Sequence, residues 1–285
     1  MGLPMATRLV KAAYPLSAWN RTREKALPLA SLGAEVATTL DEAVRSADIV
    51  ITMLEAGPVV KNVVQSMLPS LRPDTLVIDM SSTKQSEARD IHQLLMPKQV
   101  SFIDAPVSGG VVGAEAGTLA IMAGGNPKDF LRARPVFEAM GRPALVGPVG
   151  SGQIAKLCNQ LIVGGTVAIV AEAMLLAQAG GADPAAMRDA IRGGFAESRI
   201  LELHGQRMLD RNFKPGGQIK SQAKDHANIM SAAQDAGLTL PLTALVAELF
   251  GGLLETHAEA DQAAALLALE KLNHDIRLGS KPDQF

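Results

Sequence analysis

Short apolar runs and amphipathic segments alternate along the first half of the chain. The apolar runs are rich in Val, Ile and Leu, which is typical of strands in a sheet covered on both faces. They lie at 16–19, 49–54, 76–80, 102–107 and 119–123. Segments of helix length separate them, with Asp41 as a predicted N-cap and Gly33 as a stop, at 23–32, 41–46, 58–71, 86–95 and 127–140. This alternation predicts a doubly wound α/β sheet.

The strand pattern ends near residue 150, and the rest of the chain has the pattern of helices. Ala, Leu, Met and Glu dominate this half, and Asp183 before Pro184 is a typical helix start. We therefore predict two domains. Residues 1–149 form an α/β domain, and residues 150–285 form an all-α domain that includes the long helix connecting the two.

Composition and charge exclude several classes of partner. The 285 residues carry 27 basic and 29 acidic side chains and only 3% aromatic residues. Neither a basic surface nor a stacking platform for nucleic acid is therefore expected. The chain does not open with a charged leader before an apolar core. Four polar residues keep the most hydrophobic helix short of the roughly 20 clean residues of a membrane span; they are Lys156, Asn159, Gln160 and Glu172. We expect neither nucleic acid nor a membrane as partner.

The positions of the cysteine and the histidines indicate the cellular compartment and whether a metal site is expected. Cys158 is the only cysteine, which excludes an internal disulfide and fits the reducing cytoplasm. Within its apolar helix we expect it to be a small buried residue. The five histidines never fall at metal-ligand spacing with each other or with the cysteine. We predict a cytoplasmic protein without a metal site.

The start of the long helix carries the strongest candidate for chemistry. Gly150 and Gly152 allow a tight approach into the helix. Lys156, Asn159 and Gln160 then project from one face, because residues three and four apart are neighbours on a helix surface. Apolar surroundings would lower the pKa of the lysine toward the range useful for proton transfer. A lysine that extends to solvent from a helix end is the alternative.

Ligands of open α/β sheets bind beyond the carboxyl ends of the strands, so the residues there are candidates for binding. The first such stretch is Asn20-Arg21-Thr22, whose arginine suits the 2′-phosphate of NADP, although a capped turn explains the same residues. The second is Ser81-Ser82-Thr83, which either lines the nicotinamide or only starts the next helix.

Two further stretches allow a binding role and a structural one. Ser108, Gly109 and Gly110 have the amides and the hydroxyl to hold a carboxylate, and a plain glycine turn is the alternative. Lys224 and Asp225 form a dipeptide that helix-surface ion pairing explains. In a binding role, Lys224 would approach the cofactor while Asp225 fixes the charges around Lys156.

Taken together and in this order, these residues resemble the β-hydroxyacid dehydrogenase family over nearly the whole chain. The family includes 3-hydroxyisobutyrate dehydrogenases, tartronate semialdehyde reductases and glyoxylate/succinic semialdehyde reductases. Three motifs carry the resemblance: Asp104-Ala-Pro-Val-Ser-Gly-Gly110, Gly150-Ser-Gly-Gln-Ile-Ala-Lys-Leu-Cys-Asn159 and Lys224-Asp225. Imine reductases share the architecture but lack the lysine, so Lys156 argues against their chemistry.

The resemblance implies an NADP-dependent oxidoreductase, with NAD as a possible cofactor, that interconverts a small hydroxy acid and its semialdehyde or keto acid. It implies a Rossmann-type NADP-binding domain at 1–149 and a helical domain for substrate and dimerisation at 150–285. Lys156 would be the general acid/base, and Asn159 would assist it. The other implied residues would bind substrate (Ser108, Gly109, Gly110, Gln160 and Asp225) or cofactor (Gly2, Asn20, Arg21, Thr22, Met53, Leu54, Ser82 and Lys224). The partners would be a small carboxylate substrate and a second copy, as a homodimer or a dimer of dimers.

The chain departs from the family pattern at two places. Gly217 stands where related reductases carry an aromatic residue eight positions before the aspartate of Lys224-Asp225, which indicates a larger pocket. At the start, only Gly2 of the glycine-rich phosphate-binding turn is present, and the first strand is absent. We expect a gap or a rearrangement in the central sheet, and weak cofactor binding. The alternatives are a truncated product that only folds and dimerises through its helical half, and a sugar-acid phosphate dehydrogenase.

Overall fold

The computed structural model describes residues 1–274 and 276–285. The chain divides into two compact units, Met1–Lys156 and Leu157–Phe285. One continuous helix crosses the division, which falls after Lys156 and therefore later than the expected boundary between 149 and 150.

The strands of the described residues all lie in unit 1. They are β1 (Ser17–Ala18), β2 (Glu35–Val36), β3 (Ile49–Thr52), β4 (Leu76–Asp79), β5 (Ser101–Asp104), β6 (Val107–Ser108), β7 (Leu119–Gly124) and β8 (Gly141–Gly147). β3, β4 and β5 are parallel neighbours, in which Ile49 pairs with Leu76 and Leu76 with Ser101. β7 runs antiparallel to β5 and β6, and β8 pairs with β7 in parallel.

Helices alternate with these strands and then make up most of unit 2. In unit 1 they are α1 (Gly2–Lys11), α2 (Leu27–Ala30), α3 (Leu40–Val44), α4 (Gly57–Met67), α5 (Gln85–Leu95), α6 (Gly110–Ala116) and α7 (Pro127–Glu138). The connecting helix is α8 (Ser151–Ala179). Unit 2 continues with α9 (Pro184–Ala190), α10 (Arg199–Asp210), α11 (Ile219–Asp235), α12 (Pro241–Gly251), α13 (Leu254–His257) and α14 (Ala265–Leu272). The predicted α/β sheet domain followed by an all-α half is confirmed.

The core of unit 1 lies on both faces of the sheet, as expected of a doubly wound fold. Leu76 and Ile78 of β4 pack with Phe137 of α7 in one buried cluster. Val77, which points to the opposite face, packs with Val64 of α4 in another. Successive side chains of a strand point to opposite faces, so a strand buried on both sides becomes a continuous apolar run.

The sheet of unit 1 is split in two. β1 and β2 form a two-stranded parallel sheet, while β3 begins a separate six-stranded sheet. Within residues 1–156 no strand pairs with the outer edge of β3 or with the second edge of β1. The expected gap in the central sheet is present.

Two local expectations in unit 1 are wrong. The helix expected at 23–32 is a 3-10 turn, Arg23–Lys25, followed by the short α2. The N-cap of α3 is Thr39 instead of Asp41: the Thr39 side chain accepts the Glu42 N–H, and the Glu42 carboxylate accepts the Thr39 N–H. This reciprocal capping box satisfies two helix-end donors at once, which a cap at Asp41 would not.

Unit 2 has its own core, and α8 contributes much of it. Val167, Ala171 and Met174 of α8 are buried with Phe250 of α12 and Leu266 of α14. By length and composition alone α8 is apolar enough to cross a membrane, with a mean hydropathy of 1.9 over 18 residues. The expectation that its polar residues keep it below span length is therefore wrong.

Candidate active site

Several predicted cofactor residues meet at the carboxyl ends of β3 and β4. The Leu54 N–H donates to Ser81 Oγ at 2.9 Å, which ties the residue after β3 to the loop that contains Ser82. A Cβ placed on Gly2, at the start of α1, would lie 3.9 Å from Met53 Cβ. The structure therefore brings Gly2, Met53, Leu54 and the Ser82 loop to one edge of the sheet.

The stretch after β1 forms the capped turn that was one interpretation of it. Asn20 Oδ1 accepts the Thr22 N–H at 2.9 Å, and Asn20, Arg21 and Thr22 are all exposed. The turn leaves the Arg21 guanidinium at the surface beyond the end of the strand, so the two interpretations are compatible.

The loop at Ser108–Gly110 is a tight glycine turn. Ser108 ends β6, where it pairs with Ala120 of β7. Gly109 and Gly110 have φ values of 136° and 63°, which L side chains rarely adopt. A Cβ on Gly110 would meet nothing within 4 Å, so open space lies beside this turn. The glycine turn predicted as an alternative is present, and it leaves room for a ligand.

A carboxylate from the sheet caps the start of α8. Asp104 Oδ1 accepts the Gly150 N–H at 2.6 Å, and Oδ2 accepts the Gln153 N–H at 2.9 Å. A Cβ on Gly152 would lie 2.4 Å from the carbonyl oxygens of Asp104 and Met122, so only glycine allows this approach. The end of β5 therefore fixes the first turn of the helix that carries Lys156.

Burial, with a smaller contribution from the neighbouring Asp79 carboxylate, raises the pKa of Asp104 to about 7, against the opposing effect of the Gly150 and Gln153 N–H groups. Burial likewise raises the pKa of Asp79 to about 6, against the hydrogen bonds from Ser81 and Thr52. Asp79 and Asp104 occupy paired positions on β4 and β5. Two buried carboxyls at adjacent strand ends cannot both ionise without cost.

Gln153 connects α8 to the loop after β4. Its Oε1 accepts the Thr83 N–H at 2.9 Å, and its Nε2 donates to the Ser81 carbonyl oxygen at 2.9 Å. The sequence reasoning missed both Gln153 and the capping role of Asp104. The motifs contain both residues, but no spacing rule links a glutamine to main-chain groups 70 residues earlier in the chain.

Lys156 follows one turn after Gln153 and is half-buried. Asn159 and Gln160 lie three and four residues further along α8, where Asn159 Nδ2 donates to Gln160 Oε1 at 2.8 Å. Cys158 lies between them and is exposed, so the expectation of a buried cysteine is wrong. The helix turns Cys158 away from the side that the polar residues occupy.

In unit 2 the amide of Gln160 reaches the Lys224-Asp225 motif. Gln160 Nε2 donates to Asp225 Oδ2 at 2.8 Å and to Gln222 Oε1 at 3.2 Å. Asp225 is buried, and its Oδ1 lies 3.7 Å from Lys224 Nζ. The ion pair predicted as an alternative is present, and Asp225 also anchors Gln160.

A buried histidine lies behind this network. His226 Nδ1 is 3.0 Å from the Gln222 carbonyl oxygen, and its ring stacks on Phe250. Burial lowers the pKa of His226. A Cβ on Gly164 would lie 2.3 Å from His226 Cε1, so this glycine lets α11 approach α8 closely. Sequence reasoning gave His226 no role.

Within residues 1–274 and 276–285, no three His, Cys, Asp or Glu side chains are grouped as a metal site requires. Eight of the predicted residues fall into two groups, each within one unit. Gly2, Met53, Leu54 and the loop that contains Ser82 meet in unit 1, while Asn159, Gln160, Lys224 and Asp225 meet in unit 2.

Family models match both halves of the chain. The NAD-binding domain of 6-phosphogluconate dehydrogenase matches residues 1–181, and the NAD-binding domain of NADP-dependent 3-hydroxyisobutyrate dehydrogenase matches residues 150–269. The 2-hydroxy-3-oxopropionate reductase of Escherichia coli (strain K12) is 40% identical over an alignment of 283 residues, which covers 95% of this chain and 96% of that protein. The chain belongs to the β-hydroxyacid dehydrogenase family.

Other members of the family are similarly close. A probable 3-hydroxyisobutyrate dehydrogenase-like protein of Arabidopsis thaliana is 36% identical, over 96% of this chain and 84% of that one. The structure of Mycobacterium tuberculosis 3-hydroxyisobutyrate dehydrogenase with L-serine has a TM-score of 0.87 and 34% identity, covering 94% of this chain and 95% of that one. An imine reductase from Pseudomonas sp., at 19% identity and a TM-score of 0.58, shares the fold alone.

This β-hydroxyacid dehydrogenase is an NAD(P)-dependent oxidoreductase of hydroxy acids. The relatives are named as dehydrogenases and reductases, and the chain matches them over almost their whole length. The alternative of a product that only folds and dimerises is therefore not favoured.

Proposed function

We propose that the enzyme reduces a small semialdehyde that carries a carboxylate, with NADPH as the preferred cofactor and Lys156 as the proton donor. 2-Hydroxy-3-oxopropionate, the substrate named for the Escherichia coli relative, is the first candidate. The observation that carries the proposal is the anchored start of α8, where Asp104 and Gln153 hold the turn that leads into Lys156.

The residues at the strand ends suit a dinucleotide phosphate. The first N–H groups of α1 have no acceptor within the helix and lie where Gly2 leaves room beside Met53, which suits a pyrophosphate. Arg21 is exposed in the Asn20–Thr22 turn and suits a 2′-phosphate. Leu54, Ser82 and Lys224 would hold the nicotinamide end. Residues 1–149 would thus bind NADP, and residues 150–285 would serve substrate and dimerisation.

The chemistry divides between the cofactor and the side chains of α8. When bound, NADPH supplies the hydride to the carbonyl carbon. Lys156 gives a proton to the carbonyl oxygen in reduction and removes it from the hydroxyl in oxidation. Asn159 orients the reacting oxygen, since its own amide is oriented by the hydrogen bond to Gln160.

The substrate carboxylate would bind at the glycine turn. Ser108 offers a hydroxyl, and the main chain at Gly109 and Gly110 offers N–H groups beside open space. Gln160, anchored by Asp225, would complete the substrate contacts. Binding at the carboxylate fixes the carbonyl relative to Lys156, and such orientation lowers the barrier of the chemical step.

We also propose that the enzyme is a cytoplasmic homodimer, or a dimer of dimers, without nucleic-acid or membrane partners. On α8, Ile162, Ile169 and Leu176 repeat every seven residues and are 64%, 62% and 74% exposed. Leu242 and Leu245 of α12 are exposed as well. Apolar surface of this extent is typical of an interface.

Assays with a panel of small semialdehydes and keto acids, each with NADPH and with NADH, test the proposal. We expect turnover of a semialdehyde that bears a carboxylate, and none of the same aldehyde without it, because the carboxylate orients the substrate. Equal turnover of the matched aldehyde without a carboxylate would contradict the binding role of Ser108–Gly110. Absence of turnover across the panel would contradict the proposed substrate class.

A further inference from the structure

Gln153 has an unusual set of partners for a core side chain. It is only 1% exposed, and both ends of its amide are bonded to main-chain groups of one short loop. The partners are the Ser81 carbonyl and the Thr83 N–H, which lie on either side of Ser82. The glutamine therefore fixes the peptide groups that flank the residue proposed to face the nicotinamide.

The rest of the loop is fixed from the sheet. Asp79 Oδ1 accepts the Ser81 N–H at 3.1 Å, and Ser81 Oγ accepts the Leu54 N–H at 2.9 Å. These bonds hold the loop only at Ser81. The bond to Thr83 comes from α8, so Gln153 supplies the link at the far side of Ser82.

Gln153 is also fixed at its own backbone. Its N–H donates to Asp104 Oδ2 at 2.9 Å, and it stands three residues before Lys156 on the same helix. Gln153 therefore connects the first turn of α8, which leads to Lys156, with the Ser81–Thr83 loop, which is proposed to contact the nicotinamide.

We propose that Gln153 is a positioning residue that holds the Ser81–Thr83 loop in register with Lys156. The inference rests on the proposed function, because hydride and proton must reach the same carbonyl group. A misplacement of about 1 Å between reacting groups can lower a rate by roughly 10²-fold. Gln153 itself touches neither reacting atom in this account.

Two substitutions separate the bonds. Gln153→Met keeps the length of the side chain but removes both hydrogen bonds. Gln153→Glu keeps the acceptor for the Thr83 N–H but, when ionised, sets an oxygen against the Ser81 carbonyl. The matched control is Gln65→Met, the same change at an exposed position of α4. If Gln153→Met does not fold, Gln153→Glu still removes the bond to Ser81 at a pH where its carboxyl is ionised, because a carboxylate has no N–H or O–H to donate.

The first readout is steady-state kinetics, with active sites counted by cofactor titration. We expect both Gln153 variants to lower kcat by roughly 10- to 100-fold, while the KM values change less than about 3-fold. A merely structural role would reduce the number of active sites and leave kcat per site unchanged. The control Gln65→Met should keep wild-type kcat.

The second readout is amide hydrogen exchange of the cofactor-free protein. The Thr83 amide should exchange at least about 10-fold faster in Gln153→Met than in the wild type, because its acceptor is gone. If Gln153→Met has the wild-type kcat per site, or if its Thr83 amide exchanges at the wild-type rate, the positioning role of Gln153 is refuted. The proposed function is not affected by either result. A wild-type enzyme without turnover would instead refute the proposed function, and with it the reaction that Gln153 is proposed to serve.

Discussion

Asp104 accepts the main-chain N–H of Gln153 at 2.9 Å, and this bond joins the end of β5 to the first turn of α8. The second oxygen of the same carboxylate accepts the Gly150 N–H. A helix begins with N–H groups that have no acceptor within it, and here a strand supplies the acceptor. The position of Lys156 on α8 therefore depends on Asp104, which ends a strand of the sheet and lies more than fifty positions earlier in the chain.

The Asp104→Asn substitution should change how stability depends on pH. In the folded protein burial raises the pKa of Asp104 from 3.8 to about 7. A raised pKa means that the stabilisation is complete below the unfolded pKa and is lost as the pH rises through the folded pKa. The asparagine variant lacks this titration, so the stability advantage of wild type over it should shrink between about pH 4 and about pH 7.

Urea unfolding of both proteins at several pH values in this window measures that difference. Asp79, whose pKa is also raised by burial, is present in both proteins and contributes to both curves. A difference in unfolding free energy that stays constant across the window would contradict the assignment.

Arg21→Asp should reverse the cofactor preference. We expect wild type to favour NADPH, because a charge-assisted contact to the 2′-phosphate contributes roughly 1.5–3 kcal/mol, or at least about 10-fold in kcat/KM. The aspartate would repel that phosphate and accept the 2′-hydroxyl of NADH instead. The ratio of kcat/KM for the two cofactors measures the effect, with Arg142→Asp, at an exposed position of β8, as control. Equal use of both cofactors by wild type would show that Arg21 does not select NADP.

A strand added between β1 and β3 should strengthen cofactor binding. One edge of each of these strands carries main-chain groups without a strand partner, and each buried unpaired group costs about 1–3 kcal/mol. An N-terminal extension of about a dozen residues, a short strand ending in Gly-x-Gly-x before Met1, should raise both the thermal midpoint and the affinity for NADPH. An extension of equal length made of Gly and Ser is the control. If both extensions behave like the chain itself, Gly2 and α1 suffice for the phosphates.

The sequence predicts the fold well where burial is uniform. All four residues of β4 are buried, so the strand is a continuous apolar run. β8 was not predicted, because its residues alternate in exposure and include Pro143, and β2 is only two residues long. Such strands form because they pair with other strands, and a local sequence pattern does not show that pairing.

The candidate site was predictable for a different reason. Lys156, Asn159 and Gln160 share a helix face by spacing alone. The partners of Gln153 and Asp104 depend on how the chain returns to the sheet, so neither role follows from spacing. The exposure of Cys158 was missed because α8 is apolar over most of its length, and its exposed side is apolar as well.

Charge on the exposed stripe of α8 should disrupt the dimer. Ile169→Glu would place a carboxylate among Ile162 and Leu176, and burial of an unpaired charge is costly. Light scattering at roughly micromolar concentration should give a dimer for wild type and a monomer for the variant. Leu131→Glu, an exposed position of α7 in unit 1, is the control. A monomeric wild type would refute this interface.

Turnover by Lys156→Ala shows whether Lys156 is the general acid, because the lysine is proposed to transfer the proton in the chemical step. We predict that kcat falls by more than about 10²-fold while the dissociation constant of NADPH changes less than about 3-fold. Lys220→Ala, at an exposed lysine of α11 that pairs with Glu259, should keep wild-type turnover. Loss of turnover in Lys156→Ala alone supports Lys156 as the general acid. A kcat within a few-fold of wild type would contradict it.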